Sequence, residues 1–303
     1  MNLFSISHLS QYSGIKPHTI RIWEQRYNAF KPNRSEGNTR YYDGTQLRRL
    51  LNIVSLLENG HKVSSLCSLP DDILHFMISN LSTSKISESS EYFVSQLIAA
   101  GISYDTNYFE FIFSDCVLKF GMKDAYIKVI YPMMERIGFM WASDCLPTAH
   151  EHFISNMVRQ KLLAFIDSLD APDPSSESWL LFLPENEFHE IGLIYAQLVI
   201  RLLGKKVIYL GSNLPFESVI SAINHIKPQN LLIFLVHYDL PEQIQKNLDD
   251  LASSFLGNKI YLAGNNKLIS QINLKVNTEY LQSIESLELV INSSEILNTF
   301  TSI

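Results

Sequence analysis

The chain has 303 residues, a formal charge of −7, 46% hydrophobic side chains and 18% charged ones. That balance belongs to a folded, soluble protein and excludes a disordered, collagen-like or mucin-like chain. No apolar run reaches the roughly 18 to 20 residues that span a bilayer, and the opening MNLFSISHLS lacks the layout of a secretory signal, so a cytoplasmic location without a membrane partner is expected. Cys67, Cys116 and Cys145 form no CxxC pair, which argues against both a disulfide framework and a thiolate zinc site. The acidic total would also disfavour nucleic acid, but a total hides its distribution.

Residues 1–66 hold nine Lys/Arg against four Asp/Glu, a local charge of +5, whereas the other 237 residues hold 15 basic and 27 acidic side chains, −12. A basic head on an acidic body is the pattern of a chain that meets nucleic acid with one part. In the head, Ile6 and Leu9 share one side of a short first helix, Gly14 supplies a turn and Pro17 stands at a first helical position. The second helix, HTIRIWEQRY, directs Ile20 and Trp23 to the core and His18, Thr19, Arg21 and Arg26 outward, with Gln25 at the margin and Tyr27 at its end. Such a face suits the major groove of double-stranded DNA. In KPNRSEGNTRYY, Gly37-Asn38 lies between flanks that can pair, which reads as a hairpin wing bringing Arg34, Asn38, Arg40 and Tyr41 to the phosphate backbone.

Helix, wing and the later LLENGHKVSSLCSLPDDIL follow one another in the order and spacing that resemble the MerR family of bacterial transcription regulators. The resemblance implies a winged helix-turn-helix DNA-binding domain over residues 1–75. Lys16 departs from the Ser or Thr cap of many members, which weakens the start of the second helix by about 1 kcal/mol.

A serine-rich seam, SNLSTSKISESS at residues 79–90, reads as a flexible connection. Residues 91–167 then run helix after helix, briefly interrupted at Gly101, Gly121 and residues 144–147, so a helical-bundle domain is expected over residues 88–170. Near its end, in WASDCLPTAHEHF, Trp141 is followed after nine residues by Glu151-His152. Pro147 begins a helix there, so His150, Glu151 and His152 occupy its first turn and do not all share a face. Read by themselves, they are either a core Trp with a solvated Glu-His pair or a set of which two side chains point into a pocket.

A second seam, SLDAPDPSSES, contains Pro172 and Pro174, which end any preceding helix. Beyond it, WLLFLP, KKVIYLG, NLLIFLV and KIYLAG read as buried strands, each followed by a helix, from Phe188, Pro215, Pro241 and about Lys267. The fold class expected for residues 177–303 is therefore a doubly wound α/β domain with a flavodoxin-like parallel sheet and its ligand at the carboxyl ends of the strands. Glu187-Phe-His189-Glu-Ile-Gly192 follows the first of these strands. An imidazole there is placed for metal ligation, the upstream carboxylate can orient its second nitrogen, and Gly192 lets a bulky ligand approach the backbone.

Trp-x9-Glu-His and Glu-x-His-x-x-Gly, in this order behind the MerR-like head, resemble cobalamin-binding regulators of the CarH and LitR type. KKVIYLGSNLPFE is similar to the second strand and loop of the same fold. The resemblance implies adenosylcobalamin as cofactor, with Trp141 over the cobalt-bound group and Glu151 and His152 near the adenosyl moiety. It implies His189 as lower cobalt ligand oriented by Glu187, with Gly192 and Gly264 making room for the cofactor. The chain departs from the pattern in having Ala142 where some light-sensing members carry a His, Phe234-Leu-Val236 where a small residue is usual, and Gly264-Asn265 for Gly-Gly. The implied function is a DNA-binding regulator that responds to adenosylcobalamin, and to light, through a homo-oligomer, dimer or tetramer. One alternative is the same regulator with a degenerate, cofactor-free sensor that answers to a protein partner, and another is a corrinoid carrier or methyltransferase component. No catalytic dyad or phosphate loop is evident in the sequence, so no enzyme activity is expected.

Overall fold

The computed structural model describes residues 3–35, 37–58, 60–84, 90–142, 146–237, 241–255 and 257–300. The chain divides into two compact units, Met1–Val158 and Arg159–Ile303.

The first unit begins with α1 (Ile6–Ser13), started by a reciprocal capping box between Ser5 and His8 and ended by Gly14 at φ 71°. Helix α2 (Pro17–Tyr27) has Pro17 in its first turn and, as expected from Lys16, no side-chain cap. Strands β1 (Asn33–Arg34) and β2 (Arg40–Tyr41) pair antiparallel as a short wing, with Asn33 opposite Tyr41 and Arg34 opposite Arg40. Three helices complete the head: α3 (Gly44–Glu58), α4 (Val63–Cys67) and α5 (Asp71–Ser84). Leu9, Tyr12, Ile20, Trp23, Leu47 and Leu50 form its core. Helix α5 runs on to Ser84, so the serine-rich seam starts later than its composition suggests; residues 85–89 lie outside the described residues.

Helices α6 (Ser90–Ile102), α7 (Thr106–Ala125), α8 (Tyr131–Ala142) and α9 (Thr148–Asp167) follow, with a π-helical turn at Tyr126–Ile130 leading into α8. Helix α6 is buried from Tyr92 to Gly101 because its sequence is apolar on every side, and it packs against α3, α7 and α8. Gly101 does not interrupt a helix; it lies within α6, where a β-carbon would come within 2.4 Å of the Ile154 side chain. Gly121, at φ 74°, does break the regular backbone inside α7.

The second unit contains the end of α9 from Arg159 on, β3 (Ser178–Pro184), α10 (Ile191–Leu202), β4 (Lys206–Leu214), α11 (Phe216–Ile226), β5 (Asn230–Leu235), α12 (Pro241–Ser254), β6 (Lys259–Gly264), α13 (Asn266–Ile269), β7 (Thr278–Tyr280) and α14 (Ile284–Phe300). All five strands are parallel in the order β4-β3-β5-β6-β7, the flavodoxin-like arrangement. Leu180, Phe182, Leu231, Ile233, Ile260 and Leu262 pack on one face against Val219, Ile223, Ile244 and Leu248. On the other face Trp179 stacks on Tyr261 at 5.2 Å, and α10 crosses β3, β4 and β5. Two expectations need correction. Helix α10 starts at Ile191 rather than Phe188, because residues 185–190 form the loop at the strand end, and the helix expected near Lys267 is a single turn followed by a fifth strand and α14. No helix among the described residues is long and apolar enough to cross a membrane.

Candidate functional site

In the head, α2 buries Ile20 and Trp23 and exposes His18, Arg21, Gln25 and Arg26, while Thr19 and Tyr27 are half-buried. The Arg26 guanidinium lies 5.5 Å from the Tyr27 ring centre. On the wing, Arg34 and Asn38 are exposed and joined by a 2.5 Å hydrogen bond, and Asn38 takes φ 60°, a conformation that Asn tolerates at a turn. Tyr41 is half-buried. Arg40 is turned differently from the outward pose expected of it: its Nε donates to Glu24 at 2.9 Å, and the buried Tyr42 hydroxyl donates to the other oxygen of the same carboxylate at 2.9 Å. Burial, reinforced by Glu24, pushes the Tyr42 phenol far above its ordinary pKa. Glu24 thus fastens the wing to the reading helix. Arg49, which the sequence reading did not single out, donates to the carbonyls of Ala29 and Cys67 and pairs with Asp71 at 2.5 Å, tying α3 to the residues around α4 and α5.

In the helical part, the Trp141 indole is 47% exposed and its Nε1 donates to Thr148 Oγ1 at 3.2 Å. Thr148, Glu151 and His152 share one side of α9 by their spacing. Glu151 is half-buried and His152 exposed, 3.6 Å apart at their polar atoms. His150 faces the other way, stacked on Tyr104 at 4.2 Å with its Nδ1 3.1 Å from the tyrosine hydroxyl, and burial lowers its pKa. The three first-turn side chains are thereby sorted into one packing group and two outward groups.

In the α/β unit, β3 and β5 are neighbours although their sequence order is interrupted by β4, so the loops beyond their carboxyl ends flank the switch point of the sheet. Glu187, fully buried, stands there. One carboxylate oxygen accepts the N–H groups of Phe188 at 2.9 Å and His189 at 3.0 Å and lies 2.6 Å from His189 Nδ1. The other accepts the N–H groups of Val236 at 2.9 Å and His237 at 2.6 Å. Burial alone would raise this carboxyl, but the bonds from the His189 side chain and from these backbone groups outweigh it and hold the pKa at about 2. An ionised acceptor at Nδ1 puts the ring proton on that nitrogen, so Nε2 presents a lone pair suited to a metal. The His189 side chain is 57% exposed, and the His237 ring stands 6.5 Å away, edge to face. Among the described residues no three His, Cys, Asp or Glu side chains converge as a metal cage.

The glycines have two distinct reasons. A β-carbon at Gly192 would meet the Phe234 ring at 2.9 Å, so that ring lies directly against the start of α10. Gly264, at φ 122°, is pressed on Leu235, whose carbonyl oxygen would be 2.3 Å from a β-carbon, and Asn265 reaches from the end of β6 to the Val236 carbonyl at 3.2 Å. The close approach of β5 to β6 already requires Gly264. A cavity among Leu163, Ile166, Pro172, Gln197 and Arg201 lies toward the far end of α10 and takes no part in this arrangement.

Residues 4–66 match the family model described as MerR HTH family regulatory protein. The chain is 25% identical over 229 residues to the HTH-type transcriptional repressor CarH of Myxococcus xanthus, covering 74% of this chain and 76% of that protein. It is 24% identical over 246 residues to the HTH-type transcriptional repressor CarA of the same organism, covering 80% of each. Among solved structures, the monomethylamine corrinoid protein of Methanosarcina barkeri superposes with a TM-score of 0.54 at 14% identity, over 68% of this chain and 100% of that one, which shows a shared fold.

Proposed function

We propose that this chain, a DNA-binding transcriptional regulator of the MerR type, is a non-enzymatic cytoplasmic sensor whose operator binding is set by adenosylcobalamin. The observation that carries the cofactor is the buried Glu187 carboxylate, 2.6 Å from His189 Nδ1 and bonded to the amides of Val236 and His237, at the switch point of the sheet. A corrin brings most of its cobalt's ligands with it and would need one base from the protein, which an exposed, oriented imidazole such as His189 would supply. In this reading His189 Nε2 would ligate the cobalt, and Trp141, Glu151 and His152 would contact the adenosyl group. When bound, adenosylcobalamin would supply a light-sensitive cobalt–carbon bond. Trp141 would exclude water from the bound cofactor, Glu151 and His152 would read its nucleoside, and Glu187 would hold the His189 ring in place.

The output is avidity. A homo-oligomer, dimer or tetramer, places several α2 helices and wings on one stretch of double-stranded DNA, and linking heads raises overall affinity by roughly 10² to 10⁴ without altering any head. Loss of the assembled state lowers operator affinity by the same factor.

A second reading, the same regulator with a cofactor-free sensor that answers to a protein partner, is favoured by Phe234 lying on Gly192 and by Gly264 being filled from Leu235. A corrinoid carrier or methyltransferase component is disfavoured by the basic head, which a carrier has no use for. Gel filtration after dark incubation with adenosylcobalamin, with absorbance read before and after illumination, separates these readings. A red protein that bleaches in light and changes its elution volume is the expected result; a colourless protein of unchanged size leaves the cofactor-free reading standing. A His189→Ala variant is expected to lose the spectrum of imidazole-ligated cobalt, and an unchanged spectrum removes His189 as the ligand.

A further inference from the structure

Glu190 is the residue before α10, a position from which a short Ser, Thr, Asp or Asn side chain bonds back to the first N–H groups of the helix. Glu190 does not do so. Its side chain is 11% exposed and reaches sideways, with Oε1 accepting from the Tyr209 hydroxyl on β4 at 2.7 Å and Oε2 accepting from Arg159 on α9 at 2.9 Å. Gly211, at φ 85°, carries β4 past this carboxylate in a backbone conformation that side chains avoid, and a β-carbon there would stand 3.5 Å from Oε1. The Glu190 backbone is occupied as well, its N–H donating to the Phe188 carbonyl at 2.8 Å and its carbonyl accepting from Ile194 at 2.9 Å.

His189 is therefore held from two sides. Glu187 ties the loop to the residues after β5, and Glu190 ties it to β4 and α9, with His189 between. Backbone and ring orientation are both determined before any ligand arrives, which is what a single axial base needs, because a ligand nitrogen displaced by about 0.5 Å loses much of its bond. We infer that Glu190, with Tyr209 and Arg159, is a positioning residue for His189. The inference rests on the reading of His189 as a cobalt ligand, but the ordering of the loop by Glu190 is measurable without cofactor.

The test uses the full chain with Glu190→Ala, Glu190→Gln and Tyr209→Phe. Amide hydrogen exchange of residues 186–192 is followed without cofactor, adenosylcobalamin affinity and the cobalt absorbance spectrum are measured in the dark, and thermal unfolding serves as control. Glu190→Ala is expected to speed exchange across the loop at least tenfold and to weaken cofactor affinity 10- to 100-fold, the usual range for a group that orients a metal ligand, with little change in the unfolding midpoint. Tyr209→Phe, which removes one oxygen from an otherwise unchanged ring, is expected to act in the same direction more weakly, and it decides the matter if the Glu190 variants do not fold. Exchange and affinity both unchanged in Glu190→Ala overturn the inference, as does a loss of affinity matched by an equal loss of global stability. If the parent protein takes up no adenosylcobalamin, the cofactor reading fails, and the exchange result alone decides whether Glu190 orders the loop.

Discussion

Glu187 and Arg40 show how a side chain's partners redefine its part. A carboxylate with no exposure would ordinarily be costly, yet Glu187 accepts from four backbone N–H groups and one imidazole, so its ionised form is favoured. Its pKa is depressed from 4.5 to about 2, so its contribution to stability is complete above the unfolded value and is lost as pH falls through that window. From this group the α/β unit is expected to lose about 3 kcal/mol between those two pH values, by the linkage relation. Glu187→Gln should be less stable near neutrality and flatter in the acid limb; equal acid limbs in urea unfolding at stepped pH would sink the assignment. Arg40, by contrast, is committed to Glu24. Arg40→Ala is expected to weaken operator binding by loosening the wing, with a change in the log affinity against log salt slope well below one unit. Arg21→Ala, which removes an exposed charge, is expected to reduce that slope by about one.

At the scale of elements, α6 joins head and helical middle into one unit. Gln96, 1% exposed, donates to Ser55 of α3 at 2.8 Å and accepts from the Tyr108 hydroxyl of α7 at 2.9 Å, with Asn52 at 3.5 Å. Beside it Arg136 of α8 makes two 2.6 Å bonds to Glu91 and approaches the Tyr12 carbonyl of α1 at 3.4 Å. Polar groups buried in an otherwise apolar contact are costly when one partner is removed. Gln96→Leu is expected to destabilise the first unit by about 2 to 3 kcal/mol by taking partners from Ser55 and Tyr108; a loss below roughly 0.5 kcal/mol in urea unfolding would mean that water or a neighbour replaces the amide. The same helices show where periodicity stops being informative. The apolar strands of the sheet were legible because buried parallel strands are continuous in Val, Ile and Leu. Strand β7, Thr-Glu-Tyr, was not, because three residues at a sheet edge carry no apolar run, and residues 188–190 read as the start of the helix until Glu187 is seen to need the amides after β5.

For the whole molecule, the division of charge is the most general lever. The head carries +5 and the remainder −12, so on the proposed reading phosphate contacts are expected on the head and not on the acidic remainder. Operator affinity should accordingly fall steeply with salt, and Glu217→Gln, on an exposed position of α11, should leave the slope unchanged where Arg34→Ala reduces it. The sequence by itself determined the helix-turn-helix with its wing, the helical run that follows and the parallel sheet, because local periodicity, turn residues and short motifs are written in contiguous residues. Tertiary structure alone decided that Arg40 turns to Glu24, that His150 packs on Tyr104 while Glu151 and His152 turn outward, that Phe234 covers Gly192, and that Glu190 reaches Tyr209 and Arg159. These are choices among partners distant in the chain, and their energies depend on burial and geometry that no window of neighbouring residues contains.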